Sequence, residues 1–341
     1  MDFPETKPER ISNAGLPNEP ILGVVVITRN EAEHIGTCLD ALFAALKSFP
    51  DTQVVLVDSN STDETVSVAS KFPVMIYRYI APIFTAAAGR RIGLDLVQAK
   101  YVLFIDGDCR IEQFWLTKAL KQLNAAPSAA LIYGVRREVF EGVSPEFQSE
   151  GPKAEEYGIG GNALYRASVL REVNSFNPFI TAEEEGELYG RISAAGYGAI
   201  RMIEVMFDHY TQPKDTMQEV VRRYRNGLSK GRGQVLRLSI SQGLFLYHAR
   251  RFNRYLLTLA YLFAGIFSII AGMIFLDTRP PLLSLTVGLI GFAWLSYRRG
   301  SFRAAAYIVT DWLLVSISIA TDFLKTPKQP ESFNPVVERV K

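Results

Sequence analysis

The sequence predicts an α/β fold, a sheet of mainly parallel strands with helices on both faces, followed by a hydrophobic helical hairpin. Three observations carry this prediction. Short β-branched runs alternate with helical stretches from Ile21 to Ile111. Three of the strand-like runs end in polar residues. After Tyr255 the chain turns into long runs without charge.

The first strand is Leu22–Thr28, whose apolar run is continuous rather than alternating, as expected for a strand covered on both faces. From Glu31 to Phe49 apolar residues recur at helical spacing (Ile35, Leu39, Leu42, Phe43, Leu46). Gln53–Asp58 is a second strand, followed by Ser59-Asn60-Ser61-Thr62-Asp63 and a helix to about Lys71. Val74–Tyr79 is a third strand, Ala87–Ala99 a helix, and Tyr101–Asp106 a fourth strand. Strands alternating with helices give crossovers, hence parallel pairing. Ligands bind such sheets beyond the carboxyl ends of the strands. Those ends carry Arg29-Asn30-Glu31, Asp58-Ser59-Asn60 and Asp106-Gly107-Asp108. No Gly-x-Gly-x-x-Gly follows the first strand, which argues against an ordinary dinucleotide-binding domain.

The net charge of +2 over 341 residues suggests no nucleic-acid partner. Basic residues nevertheless crowd Lys214–Arg254, next to Tyr255–Leu276, a run of 22 residues without a charge. At ~1.5 Å per residue this run crosses a ~30 Å hydrocarbon layer. Asp277-Thr278-Arg279-Pro280-Pro281 breaks it, Pro281–Tyr297 is uncharged again, and Arg298, Arg299 and Arg303 follow. Arginines on both outer flanks place those flanks in the cytoplasm. Ala304–Leu324 is a third apolar segment whose Asp311 and Asp322 leave three placements open: packed on the hairpin, interfacial, or spanning with Asp311 toward protein. The expected organisation is a flexible segment 1–20 lacking a signal-peptide core, a catalytic domain 21–213, basic juxtamembrane helices 214–254, a membrane region 255–324 and a tail 325–341. Cys38 and Cys109 suggest neither a disulfide framework nor a zinc site.

Asp106 and Asp108 are two apart at the end of an extended strand, so both carboxylates address one ligand. Gly107 lets backbone and ligand approach closely. Hard oxygen ligands suit Mg²⁺ or Mn²⁺ shared with substrate phosphates.

With Thr28-Arg29-Asn30-Glu31, Val57–Asp63, Gly89-Arg90-Arg91-Ile92-Gly93, Asp106-Gly107-Asp108, Gly160-Gly161-Asn162 and Glu183–Leu188 in this order, the chain resembles inverting glycosyltransferase family 2, of GT-A fold, from about Ile21 to Tyr210. The resemblance implies a nucleotide-diphosphate-sugar donor, a divalent metal (Mn²⁺ or Mg²⁺) and inversion at the anomeric carbon. Carried over by position, Thr28, Asn30, Glu31 and Asp58 border the base and ribose, and Arg90 lies near the nucleotide or phosphates. Asp106 faces the ribose or a metal-bound water, and Gly107 lets the donor's diphosphate approach closely. Asp108 ligates the metal, with Asp106 beside it and His209 as an additional ligand. Gly160, Gly161 and Asn162 floor the acceptor site. Aligning Leu188 with the family's leucine sets Glu185 where the catalytic aspartate stands, with Glu184 as its rival. Glutamate there is a departure from the family pattern. Clustered like charges raise a carboxyl pKa, as a base requires.

The expected activity is transfer of one sugar to a lipid-linked or growing surface polysaccharide acceptor at the cytoplasmic face of a membrane. The alternatives are transfer to a polyprenyl phosphate, nucleotidyl transfer, and an inactive membrane scaffold.

Overall fold

The computed structural model describes residues 20–140, 161–211 and 217–341. Nine strands form one sheet: β1 (Leu22–Thr28), β2 (Gln53–Asp58), β3 (Met75–Ile80), β4 (Tyr101–Asp106), β5 (Cys109–Ile111), β6 (Ala129–Phe140), β7 (Ala163–Arg166), β8 (Gly198–Thr211) and β9 (Val336–Arg339). Their spatial order is β5-β8-β6-β7-β4-β1-β2-β3-β9. The central strands β4, β1, β2 and β3 are parallel, as the alternation predicts. Beyond β4 the sheet is mixed: β7 is antiparallel to β4 and to β6, β8 is parallel to β6, and β5 is antiparallel to β8.

The continuous apolar run of β1 is divided between two cores. Val24 and Val26 enter one beneath helices α1 (Ile35–Ala45), α2 (Thr65–Ala69) and α4 (Trp115–Ala125). Val25 and Ile27 enter the other beneath α3 (Ala86–Leu96), α5 (Ala167–Glu172) and α6 (Glu184–Ala194). Successive side chains of a strand point to opposite faces, so a sheet buried on both sides needs both sets apolar. The three helices predicted between the strands are present as α1, continued by a 3₁₀ turn at Leu46–Ser48, α2 and α3. Gly23 and Gly93 are needed for contact: a Cβ on Gly93 would meet Val25 Cγ1 at 2.1 Å.

After the sheet come α7 (Met217–Arg225), α8 (Gly231–Ser241) and α9 (Phe245–Arg251), then the long helices α10 (Asn253–Phe275), α11 (Arg279–Arg299) and α12 (Phe302–Phe323). The last three have 23, 21 and 22 residues and mean hydropathies of 2.1, 1.3 and 1.6, so each is long and apolar enough to cross a membrane. Pro280 opens α11 and Gly300, at φ 63°, closes it. Much of α10 and α11 is exposed, with Phe267 and Met273 each 72% accessible. α12 is more embedded: Asp311 faces the Tyr255 hydroxyl at 3.4 Å, and Ser316 donates to the Tyr255 carbonyl at 2.8 Å. A third apolar cluster (Ile180, Val235, Leu236, Phe252, Tyr255, Val315, Ile319) joins these helices to the loop ahead of α6.

One difference from the sequence expectation lies in the tail. The sequence predicts only a tail at 325–341, yet Pro330–Ser332 form a 3₁₀ turn and β9 extends the sheet antiparallel to β3. Four residues of exposed strand carry too weak a pattern to read, and the free edge of β3 stabilises them by pairing.

Candidate active site

The register of the parallel strands gathers the polar ends. Thr28 stands beside Asp58, and Ile27 beside Asp106. At Gly107 the chain leaves β4 and re-enters the sheet as β5 against β8. A Cβ at Gly107 would lie 2.9 Å from the Thr28 hydroxyl, so the turn requires glycine. The buried Thr28 hydroxyl has no hydrogen-bond partner among the described residues.

Pairing of β5 with β8 sets Cys109 opposite His209, and the Tyr210 N–H donates to the Asp108 carbonyl at 3.2 Å. This delivers His209 Nε2 to Asp108 Oδ2 at 3.1 Å, while Nδ1 meets Glu138 Oε2 at 2.8 Å. Burial opposes the imidazolium, but hydrogen bonds to the two carboxylates outweigh it and raise the His209 pKa. Asp108 and Glu138 are both lowered: burial works against their charge, and His209 more than compensates. Donor atoms of Asp108, Cys109 and His209 lie within 4.8 Å of one another. The buried Cys109 thiol is pushed well above its usual pKa, first by burial and then by Asp108, so it stays protonated and is a poor ligand. A carboxylate and an imidazole whose far nitrogen is held by Glu138 fit a divalent cation such as Mn²⁺. Glu31 faces this cluster and is pushed up to about 7 by burial and by the charges of Asp108 and Asp106.

On the other side of Gly107 lies Arg90. Expected near the nucleotide or phosphates, it is buried beneath the strand tips, only 2% exposed. Its Nη2 donates to Asp106 Oδ1 at 2.8 Å, and its Nη1 to Glu184 at 2.9 Å and Glu185 at 3.5 Å. Three carboxylates converge on one guanidinium and engage both of its Nη atoms, while its buried Nε has no partner among the described residues. Asn162 and Gly161, expected beneath the acceptor, serve this knot. Asn162 Oδ1 accepts from the Asp106 N–H at 2.7 Å and its Nδ2 donates to Asp106 Oδ2 at 3.1 Å. A Cβ on Gly161 would fall 1.7 Å from Arg90 Nη2, so the glycine vacates the space that the guanidinium fills. Gly160 lies outside the described residues.

Glu184 and Glu185 open α6, after Glu183 in the left-handed region at φ 69°. Burial raises both carboxyls against the pull of Arg90, Glu185 to about 8 with the Glu184 charge as the next cause. Glu184 is the tightly clamped one, 8% exposed against 20% for Glu185. The N-terminus of α6 also receives the basic helices: Glu183 pairs with Arg232 at 2.7 Å and Arg251 at 3.2 Å. Two arginines of the basic segment therefore face the enzyme rather than a lipid surface.

At the β2 tip, Asp58 is fully buried. It accepts from the Ser61 N–H at 3.2 and 3.1 Å and pairs with Arg78 Nε at 3.0 Å. Asn30, at φ 56°, accepts from the Thr62 N–H at 2.8 Å, locking the two strand tips together. Asp63 accepts from the Thr65 N–H at 3.0 Å and the Ala32 N–H at 3.1 Å, in keeping with its reading as a residue of the helix start.

Residues 23–174 match the family described as Glycosyl transferase family 2. This segment is a family 2 glycosyltransferase domain. Among curated relatives, the poly(ribitol-phosphate) beta-N-acetylglucosaminyltransferase TarS of Staphylococcus aureus is 26% identical over 226 residues, 58% of this chain and 39% of TarS. The glycosyltransferase AglE of Haloferax volcanii is 24% identical over 187 residues, 52% of this chain and 59% of AglE. The matches therefore span less than two thirds of the length of these relatives. Among solved structures, the mannosyltransferase PcManGT of Pyrobaculum calidifontis, in complex with GDP-Man and Mn²⁺, superposes with a TM-score of 0.58 at 21% identity, over 90% of this chain and 88% of its own. Staphylococcus aureus TarS 1–349 with UDP-GlcNAc gives 0.52 at 16% identity, over 88% and 91%. The family 2 domain has the GT-A fold.

Sequence reasoning missed Glu138 and Arg78, the partners of His209 and Asp58. The only signal for Glu138 was charge (Arg136, Arg137, Glu138) inside an otherwise apolar strand; for Arg78 it was a lone arginine in β3.

Proposed function

We propose that this chain is an inverting, metal-assisted glycosyltransferase that moves a sugar from a nucleoside-diphosphate sugar to a lipid-linked or saccharide acceptor at the cytoplasmic face of a membrane. The observation that carries this reading is the pairing of two opposed clusters across one glycine. Asp108 with His209 can hold a cation, and Glu185 has a pKa matched to accepting a proton near neutral pH.

The nucleoside lies along the tips of β1 and β2, near Thr28, Asn30, Glu31 and Asp58. Asp108 and His209 would hold a divalent cation, which would supply positive charge against the charge that builds on the departing diphosphate. Asp106, braced by Arg90 and Asn162, borders the ribose. The acceptor hydroxyl gives its proton to the Glu185 carboxylate as its oxygen bonds the anomeric carbon. The bond from that carbon to the diphosphate oxygen breaks on the opposite face, and the nucleoside diphosphate leaves with the electron pair. Glu185 suits the role better than Glu184, whose carboxylate is pinned on Arg90 at 2.9 Å. The hydrophobic helices support a multi-pass membrane location, which holds a lipid-linked acceptor near the site and raises its effective concentration. TarS, named for poly(ribitol-phosphate), supports an acceptor of the cell-surface polymer class.

The test is a donor screen on purified protein with Mn²⁺, Mg²⁺ or EDTA, beside Asp108→Ala. Metal-dependent release of a nucleoside diphosphate, lost in the variant, is the expected result. No turnover and no metal-dependent nucleotide binding with any donor would sink the enzyme reading.

A further inference from the structure

The segment after α12 packs back on the sheet. From Lys328 it crosses the loop that precedes α6. Lys328 Nζ sits 5.4 Å from the Phe179 ring centroid, Phe333 meets Phe179 edge-on at 5.7 Å, and Asn174 Nδ2 donates to Glu331 at 2.8 Å. Arg91 fastens the same loop from beneath, through the Asn174 and Phe176 carbonyls at 2.9 and 3.2 Å. The segment then pairs as β9 with β3, setting Glu338 opposite Arg78 and Val337 opposite Tyr79. The Val340 N–H donates to the Ile76 carbonyl at 2.8 Å, and Lys341 Nζ reaches the Ser70 and Phe72 carbonyls, both at 2.6 Å. Arg78 is the residue that holds the buried Asp58 carboxylate. One stretch of chain thus touches the strand behind the expected nucleoside pocket and the loop leading to Glu184 and Glu185.

We propose that residues 328–341 are a positioning strap for the nucleoside end of the donor site. The inference rests on the reading that the donor nucleoside binds at the tips of β1 and β2. Without β9, β3 is an edge strand with unpaired backbone groups, free to twist and fray. Arg78 then loses the fixed backbone from which it orients Asp58 and, through the Ser61 N–H, the 58–63 turn. The strap's contacts are with Phe179, Asn174, β3, Ser70 and Phe72 rather than with Asp108, His209 or Glu185, so its effect falls on nucleotide binding and less on the chemical step.

The experiment uses the full chain carrying Val340→Pro, which deletes the donor to Ile76, combined with Lys341→Ala. UDP and GDP are the binding probes in Mn²⁺, followed by calorimetry; donor KM, kcat and Tm are measured alongside. The expected result is a rise of about tenfold in nucleotide Kd and donor KM together, kcat within about threefold, and a nearly unchanged Tm. A disulfide between Tyr77→Cys and Arg339→Cys, which face each other in the register, restores Kd in the same background. Unchanged nucleotide Kd, with hydrogen exchange showing β3 amides newly exposed, overturns the proposal. So does a raised Kd that the disulfide fails to restore, which marks general damage. Wild type that binds no nucleoside diphosphate overturns the donor reading itself and the strap with it.

Discussion

On one side of Gly107, two carboxylates share an imidazole; on the other, three share a guanidinium. The first cluster keeps Asp108 and Glu138 ionised below their usual range. The second lets Glu184 and Glu185 rise above theirs, although Arg90 carries a full and permanent charge. The difference is one of counting. Around His209 each acid has its own imidazole nitrogen, and Glu138 also pairs with Arg136. Around Arg90 one cation is divided among Asp106, Glu184 and Glu185, and burial outweighs its pull on both glutamates. The comparison teaches that a nearby cation does not by itself make a carboxylate acidic. Two neighbouring acidic clusters acquire opposite pKa shifts from their environment, as the proposed roles of ligand and base require.

The largest expected effect comes from removing the shared cation. Arg90→Ala leaves three converging carboxylates uncompensated and should cost about 3–5 kcal/mol of folding stability, measured by denaturant unfolding, together with nearly all activity. Stability within about 1 kcal/mol of wild type would show that Arg90 is not the element that holds the cluster together.

Next is the base. Glu185→Gln should lower kcat by about 10²–10⁴-fold with nucleotide affinity unchanged, while Glu184→Gln should cost less in kcat. The reverse order would transfer the role to Glu184. Full activity in Glu185→Gln would favour an acceptor that is already an anion, such as a polyprenyl phosphate.

The pH profile sharpens the same point. Glu185 acts when deprotonated, so the rate should climb as pH rises through about 8 and level off above it. Its raised pKa also means that the fold binds this proton more tightly than the unfolded chain does. The stability it contributes is complete below the ordinary value of 4.5 and is lost as pH rises through about 8. An activity profile flat from pH 6 to pH 9 would contradict a titrating base in this range.

The smallest effect tests the metal side. Glu138→Gln removes the carboxylate behind His209 and should weaken Mn²⁺ binding about 10–100-fold, read by titration of the apoprotein without any substrate. A His209→Ala protein with wild-type Mn²⁺ affinity would remove the imidazole from the site altogether.

Much of this was legible in the sequence wherever neighbouring residues carry the signal. The four parallel strands, the helices between them, the polar strand tips and the hydrophobic helices follow from periodicity and from runs long enough to read. Local spacing also suffices for the paired aspartates around Gly107, because residues two apart in a strand share a face. His209 beside Asp108 came only from the family resemblance, and the other partners were not legible, since a cross-strand or cross-domain neighbour leaves no trace at fixed spacing. Glu138 and His209 are 71 positions apart, Arg90 and Glu184 are 94 apart, and only the sheet register and the docking of α6 bring them together. Burial decided the rest. It set Arg90, Gly161 and Asn162 around Asp106 and raised the Glu185 pKa to about 8. It also left an open edge on β3 that the otherwise unremarked residues Val336–Arg339 close. Sequence alone determined which chemical groups stand at the strand ends; the tertiary structure decided which of them share a charge, because that depends on distance and solvent exclusion rather than on order along the chain.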